Sequence, residues 1–284
     1  MANKQPLMDH GHEGRRWTDS SKEIESKIHK ACCKNETQKV NHFLLRRKND
    51  INAKKLDGFG SFLVAIDNNN FLIVDGLLGI GCNPNAANLN GKPLLFAIDR
   101  CYLEIVKLLL KHNADPNRLN NDGDTPLYLA VSKGHIDIVK ELLSNGAEVN
   151  RRALGFTPFS NAMISNQINI AKILLKYGAN VDEIIAPHWF GDQTSLHDAT
   201  SYGNLENVEF LLENNANLNA VDDNKSTPLH LASQKNKPEV VKLLLISGGN
   251  DINIRNIEGN TALESAFAKN NINIAKMMAY HDNF

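Results

Sequence analysis

A six-residue phrase returns along this chain every 32 to 37 residues, and a chain built that way does not close around one central core. Its clearest copies are TPLYLA at 125–130, TPFSNA at 157–162 and TPLHLA at 227–232. KPLLFA (92–97), TSLHDA (194–199) and TALESA (261–266) are weaker, and GSFLVA (60–65) and SKIHKA (26–31) fainter still. The closing alanines fall at 31, 65, 97, 130, 162, 199, 232 and 266. A fixed period of this size marks a stack of like units, each burying its apolar side against its neighbours. The search for function therefore moves from a catalytic cavity to a surface.

One unit, 122–153, shows why each copy is a pair of helices. The Thr125 hydroxyl can cap a helix, and Pro126 suits the first helical position, where its missing N–H costs nothing. Leu127 and Ala130 follow at helical spacing, and Ala130 is small enough for a neighbouring helix to approach. Gly134 ends the helix by turning left-handed. A second helix carries Ile136, Val139, Leu142 and Leu143 as an apolar stripe and ends at Gly146. AEVNRRALG then extends as a finger toward the next unit. The same stops recur as Gly or Asn, at 69, 134, 166, 203, 236 and 270 after first helices and at 81, 113, 146, 178, 215 and 248 after second helices. Asn tolerates positive φ better than most residues, so the many asparagines read as turn residues. Cys101 breaks this pattern and predicts a different turn.

The T-P-L-H-x-A phrase, the glycine stop, the V-x-x-L-L-L second helix and G-A-x-x-N together resemble the ankyrin repeat. Leu229, His230 and Ala232 with Val241, Leu243, Leu244 and Leu245 give the fullest copy. The resemblance covers about 22–284 and implies an all-α solenoid of eight helix pairs with projecting finger loops. The expected units lie near 22–56, 57–89, 90–121, 122–153, 154–190, 191–223, 224–257 and 258–284. The first and last are degenerate, as caps that face water should be. Residues 1–20 match nothing and read as a flexible tail ahead of a repeat domain at 21–284. The resemblance also implies a groove of finger tips and first helices where proteins bind.

Composition narrows the partner. Net charge is −1 with 22% charged residues, which provides no field for nucleic acid or a membrane surface. The basic cluster Arg46, Arg47, Lys48, Lys54 and Lys55 lacks interleaved aromatics and reads as a solvated face rather than a nucleic-acid site. FLIVDGLLGI at 71–80 is far short of the ~20 residues of a membrane span. The N-terminus lacks an apolar signal core. Cys32, Cys33, Cys82 and Cys101 have no disulfide or metal spacing. They fit buried thiols in a cytoplasmic or otherwise intracellular protein. Secretion into a host cell stays open.

The 37-residue interval between Ala162 and Ala199 is the informative irregularity. About four extra residues enter the finger NVDEIIAPHWFGDQTS at 180–195, whose tip holds Ile184, Ile185, Trp189 and Phe190 while other tips are polar. Two readings stand: aromatics on a projecting loop anchor an interface, or the loop folds back over its own neighbours. By register, Leu154 and Phe156 sit on the preceding finger, Ile164 late on the following first helix and Tyr202 one unit on. Leu154, Phe156, Ile164, Trp189, Phe190 and Tyr202 are the candidate partner-binding patch.

Other chemistry is set aside. His10 and His12 are two ligands without a third, so no metal site is expected. His197 and His230 fill the motif position whose histidine, by the resemblance, bonds the repeat backbone. No nucleophile elbow, phosphate loop or dinucleotide motif occurs, so neither cofactor, small-molecule substrate nor enzymatic activity is expected. Asn150, with Leu142, Glu148 and Val149, is similar to the pattern that asparaginyl hydroxylases accept in ankyrin proteins, and Asn219 and Asn253 hold comparable places. The alternative is an asparagine that satisfies finger backbone. The reading that follows is a non-catalytic scaffold or adaptor for a protein partner of unknown identity. The alternative is a regulator or effector recruiting a partner to an enzyme such as a ubiquitin ligase, which would need a second docking element.

Overall fold

The computed structural model describes residues 21–48, 59–86, 92–185 and 191–281. Sixteen helices occur among the described residues, and the β pairing there is limited to two isolated bridges. The tail, Lys54, Lys55, Trp189 and Phe190 lie outside the described residues.

Two compact units divide the chain, 1–87 and 88–284. The first holds α1 (Ser21–Cys33), α2 (Thr37–Lys48), α3 (Phe59–Asp67) and α4 (Phe71–Gly79). There α1 packs on α3 and α2 on α4 around Ile28, Val40, Phe62, Ile73 and Leu77. The second unit holds six helix pairs: α5 (Pro93–Asp99) and α6 (Leu103–Lys111), α7 (Pro126–Ser132) and α8 (Ile136–Ser144), α9 (Pro158–Ile164) and α10 (Ile168–Lys176), α11 (Ser195–Tyr202) and α12 (Leu205–Glu213), α13 (Pro228–Gln234) and α14 (Pro238–Ser247), α15 (Ala262–Ala268) and α16 (Ile272–His281). First helices pack in order, from α5 on α7 to α13 on α15.

The repeated phrase supplies the helix starts. Thr125 Oγ accepts from Tyr128 N at 3.0 Å, and Thr157, Thr227 and Thr261 cap their helices in the same way. Each such cap contributes about 1 kcal/mol. The motif alanines 97, 130, 162, 232 and 266 are fully buried, so the small side chain sets how closely first helices approach. In α8 the buried stripe is Ile138, Val139, Leu142 and Leu143. Ile136, expected on that stripe, is the first helical residue and stays 37% exposed.

Left-handed turns close the helices at Asn69, Asn113, Asn166, Asn215, Asn236 and Asn270, and at glycines between them. Cys101 corrects the sequence reading: its φ is +58, the same turn as its counterparts. A Cβ there is strained, and Gly relieves that strain while Asn tolerates it better. Cys101→Gly is expected to stabilise the second unit by about 0.5–1 kcal/mol, seen as a higher urea midpoint at unchanged slope.

Two other expectations need correcting. Of the four thiols, only Cys32 and Cys82 are buried; Cys33 and Cys101 are exposed. Burial, then Cys33 and Cys82 nearby, pushes the Cys32 thiol up to about 12, which keeps it protonated and inert. The last pair is not wholly a polar cap, since Phe267 is 54% exposed where Val131, Met163, Thr200 and Ser233 are buried.

Candidate partner-binding surface

Most fingers are built alike. Asn120 N donates to Asp124 O, Asp222 N to Ser226 O and Asn256 N to Asn260 O, at 2.9–3.0 Å, leaving three residues at each tip. The leading Asn or Asp folds its side chain over the turn. Asn120 Oδ1 accepts from Asp122 N and Asp124 N, Asp222 Oδ1 from Asn224 N and Ser226 N, and Asn256 Oδ1 from Glu258 N and Asn260 N. Such Asx turns are the reason polar residues dominate tips. Even so, Val221 and Ile257 are 46% and 66% exposed, so these fingers are less uniformly polar than the sequence reading held.

Two fingers depart from this pattern in opposite directions. At 153–156, Ala153 and Phe156 exchange both backbone hydrogen bonds at 2.9 Å, leaving only Leu154 and Gly155 at the tip. This shortening matches the 32-residue interval from Ala130 to Ala162. Leu154 has φ +52 and is 60% exposed. A two-residue turn of this hand normally carries Asn, Asp or Gly first, so an exposed leucine here is both strained and wet. Phe156 is half-buried beside it.

In the inserted finger, Ile184 bridges Thr194 and Ile185 N donates to Gln193 O at 2.6 Å. Seven residues then separate the paired groups instead of three, which accounts for the four extra residues. Ile185 is 2% exposed, so one of the four apolar residues assigned to the tip belongs to the core. The returning strand lies against the next finger: a Cβ on Gly191, whose φ is +60, would come 2.6 Å from Asp223 Oδ2. Any other residue there would be strained at that φ and would push the Asp223 carboxylate aside.

Ile164 and Tyr202 are 45% and 73% exposed. They are the last residues of α9 and α11, first helices that pack together. Leu154 and Phe156 sit before the start of α9, about 10 Å away along its axis at 1.5 Å per residue. The candidate residues therefore occupy two ends of the first-helix face, not one compact spot.

Asparagines lace the fingers together. Asn117 Nδ2 donates to Gly146 O at 3.0 Å while its Oδ1 accepts from Glu148 N at 2.8 Å. Asn150 does the same with Gly178 O and Asn180 N, both at 3.1 Å, and Asn219 with Gly249 O and Asp251 N, both at 2.8 Å. Asp182 fills the slot one finger on and, having no amide, only accepts, from Asn217 N at 2.8 Å. His197 and His230 make the matching links at the helix starts. Each Nδ1 faces the motif threonine, and each Nε2 reaches the following finger, at Ser226 O (3.0 Å) or Asn260 O (3.1 Å). Burial, the largest cause, lowers both histidine pKa values against the opposing pull of those carbonyls.

Comparison with known proteins now decides the family. The model for ankyrin repeats (3 copies) matches residues 28–120, 62–153, 94–185, 152–222 and 196–284. The chain belongs to the ankyrin-repeat family. Such repeats generally mediate protein–protein interaction and are typically non-catalytic. Among known ankyrin-repeat proteins, mouse inversin is 31% identical over 129 residues, 45% of this chain and 12% of inversin. Human transient receptor potential cation channel subfamily A member 1 is 41% identical over 78 residues, 28% of this chain and 7% of that protein. This chain thus spans only about a tenth of these relatives. The human ASB11 ankyrin repeat domain superimposes with a TM-score of 0.57 at 28% identity, covering 72% of this chain and 90% of that one. A chain from the complex of the Bdellovibrio bacteriovorus predatory endopeptidase Bd0816 with immunity protein Bd3460 also gives 0.57, at 30% identity over 67% and 98%. Among the described residues no group of three metal-binding side chains gathers, and no helix is long and apolar enough to cross a membrane.

Proposed function

We propose that this ankyrin-repeat chain is a non-catalytic scaffold or adaptor inside cells. It holds a protein partner on the fingers and first-helix face through Leu154, Phe156, Ile164, Trp189, Phe190 and Tyr202. The observation that carries this reading is Leu154. It combines a left-handed backbone with a leucine side chain that is 60% exposed. Backbone strain of this kind, about 1–3 kcal/mol, persists at sites that use it.

The test separates stability from binding. Leu154→Asn is expected to raise stability by about 0.5–1 kcal/mol while weakening partner capture from lysate. Trp189→Ala/Phe190→Ala is expected to weaken capture with helicity intact by circular dichroism. Capture unchanged in both variants would remove the patch. A second reading has the partner delivered to, or held from, an enzyme. A structural neighbour drawn from an endopeptidase complex with an immunity protein favours it. Asn150 also remains a proposed hydroxylation site; an intact mass without added oxygen after co-expression with an asparaginyl hydroxylase would dismiss it.

A further inference from the structure

The residue eight places after each helix-capping position forms a row along the second unit. From the caps Lys92, Thr125, Thr157, Thr194, Thr227 and Thr261, that residue is Arg100, Lys133, Ser165, Tyr202, Lys235 and Lys269. All six are exposed, and they sit at equivalent ends of helices packed in sequence. The Lys133 ammonium reaches Asp99 on the preceding first helix at 2.8 Å, so neighbouring helix ends along the row touch. Lys237 adds another cation, its stem so close over Gly203 that a Cβ there would lie 2.8 Å from Lys237 Cδ. At places seven to ten after the caps, Asp99 is the one carboxylate among the described residues. Cations thus occupy both ends of the row and Ser165 and Tyr202 its middle, with the exposed Ile164 one place before Ser165 on the same helix end. A helix C-terminus favours a cation by itself, but it gives no reason for an exposed Ile and Tyr between the cations.

We infer that this row receives an extended polypeptide segment with acidic flanks and a large apolar centre. The inference rests on the interaction role proposed above and names the chemistry of the partner. Charge complementarity places carboxylates over Arg100 at one end, where Asp99 already pairs with Lys133, and over Lys235, Lys237 and Lys269 at the other. The centre seats on Ile164 and Tyr202, aromatic and aliphatic contact being what anchors interfaces. Five steps of about 9 Å between packed helices make the row about 45 Å long. An extended chain at about 3.3 Å per residue covers it with about 14 residues.

Selection of a random 16-residue peptide phage library on the immobilised full chain tests this. Enriched peptides are expected to carry Asp or Glu in both flanks and Leu, Ile or Phe at the centre. As synthetic peptides they should bind Lys235→Glu/Lys269→Glu and, separately, Tyr202→Ser at least ~10-fold more weakly, with helicity unchanged. They should also lose about 10-fold in affinity between 50 and 500 mM salt, as screening shortens the reach of surface charges. Failure to enrich any peptide, or enrichment without acidic flanks, would overturn the inference. Peptides that ignore the lysine and tyrosine variants yet are lost with Leu154→Asp would overturn it while leaving the interaction role standing. A 20-base-pair DNA duplex or anionic vesicles bound through the same lysines, indifferent to Tyr202→Ser, would also overturn it.

Discussion

Phe159→Ala is expected to destabilise the second unit by about 3–5 kcal/mol and to split its unfolding into two transitions. Phe159 is 1% exposed and ranks with Phe62 among the largest fully buried side chains. It sits on α9, between α7 and α11. In a stack, stability is close to a sum of unit and neighbour terms, so a cavity in a middle unit weakens both of its interfaces at once. The helix pairs on either side then unfold with less reference to each other. Urea melts followed by circular dichroism should show a second, shallower transition for the variant. Phe159→Leu, which keeps most of the volume, should give one transition at a modestly lower midpoint. One sharp transition in the alanine variant, shifted by less than ~1 kcal/mol, would mean that the site collapses around the cavity.

The second large effect depends on acid. His197 and His230 are buried, and burial holds their folded pKa below the ordinary histidine value of 6.5. On unfolding they take up protons more readily. Their contribution is therefore fully present above about pH 6.5 and is lost as pH falls from there toward the folded values. Stability should drop as pH falls below about 6.5, more steeply than in His197→Gln/His230→Gln, whose profile should be flatter there. The double variant should also be less stable at pH 8. It leaves a threonine N–H and a finger carbonyl without their partner at each site, at about 1–3 kcal/mol per unpaired group. Equal pH slopes in the two proteins would show that other groups carry the acid sensitivity.

The helix pairs were legible because their causes are local. A capping Thr, a Pro at the first helical position and a Gly or Asn stop each act within a few residues, so periodic spelling gives periodic structure. Cys101 was misread because the same locality fails in one direction. Residue identity predicts φ only where the neighbours leave a choice, and here the flanking helices force a left-handed turn on a poor candidate. Ile185 was misread for a different reason. Ile184 and Ile185 stand side by side before the insertion, and only the pairing with Gln193 and the burial of Ile185 show which of them faces the core. The Asx turns at 120, 222 and 256 could have been found, since Asn or Asp stands five places before each capping Thr. The row from Arg100 to Lys269 was spelled out as well, but it becomes one surface only once the first helices are known to pack in order.

The hairpin that Ile185 and Gln193 close has a further consequence for how this chain can change. That pair and the Ile184–Thr194 bridge hold this finger in step with its neighbours: Ile185 is buried and Thr194 caps α11. Residues added between the paired positions lengthen only the span that the pair closes, and doubling such a span raises its closure cost by only about 0.6 kcal/mol. The same addition at the two-residue turn of Leu154 would have to rebuild the turn itself. The position between 185 and 193 is thus a natural port. A foreign loop or tag spliced in between 185 and 191 is expected to leave the Ile185–Gln193 pair, and with it the register of the stack, in place.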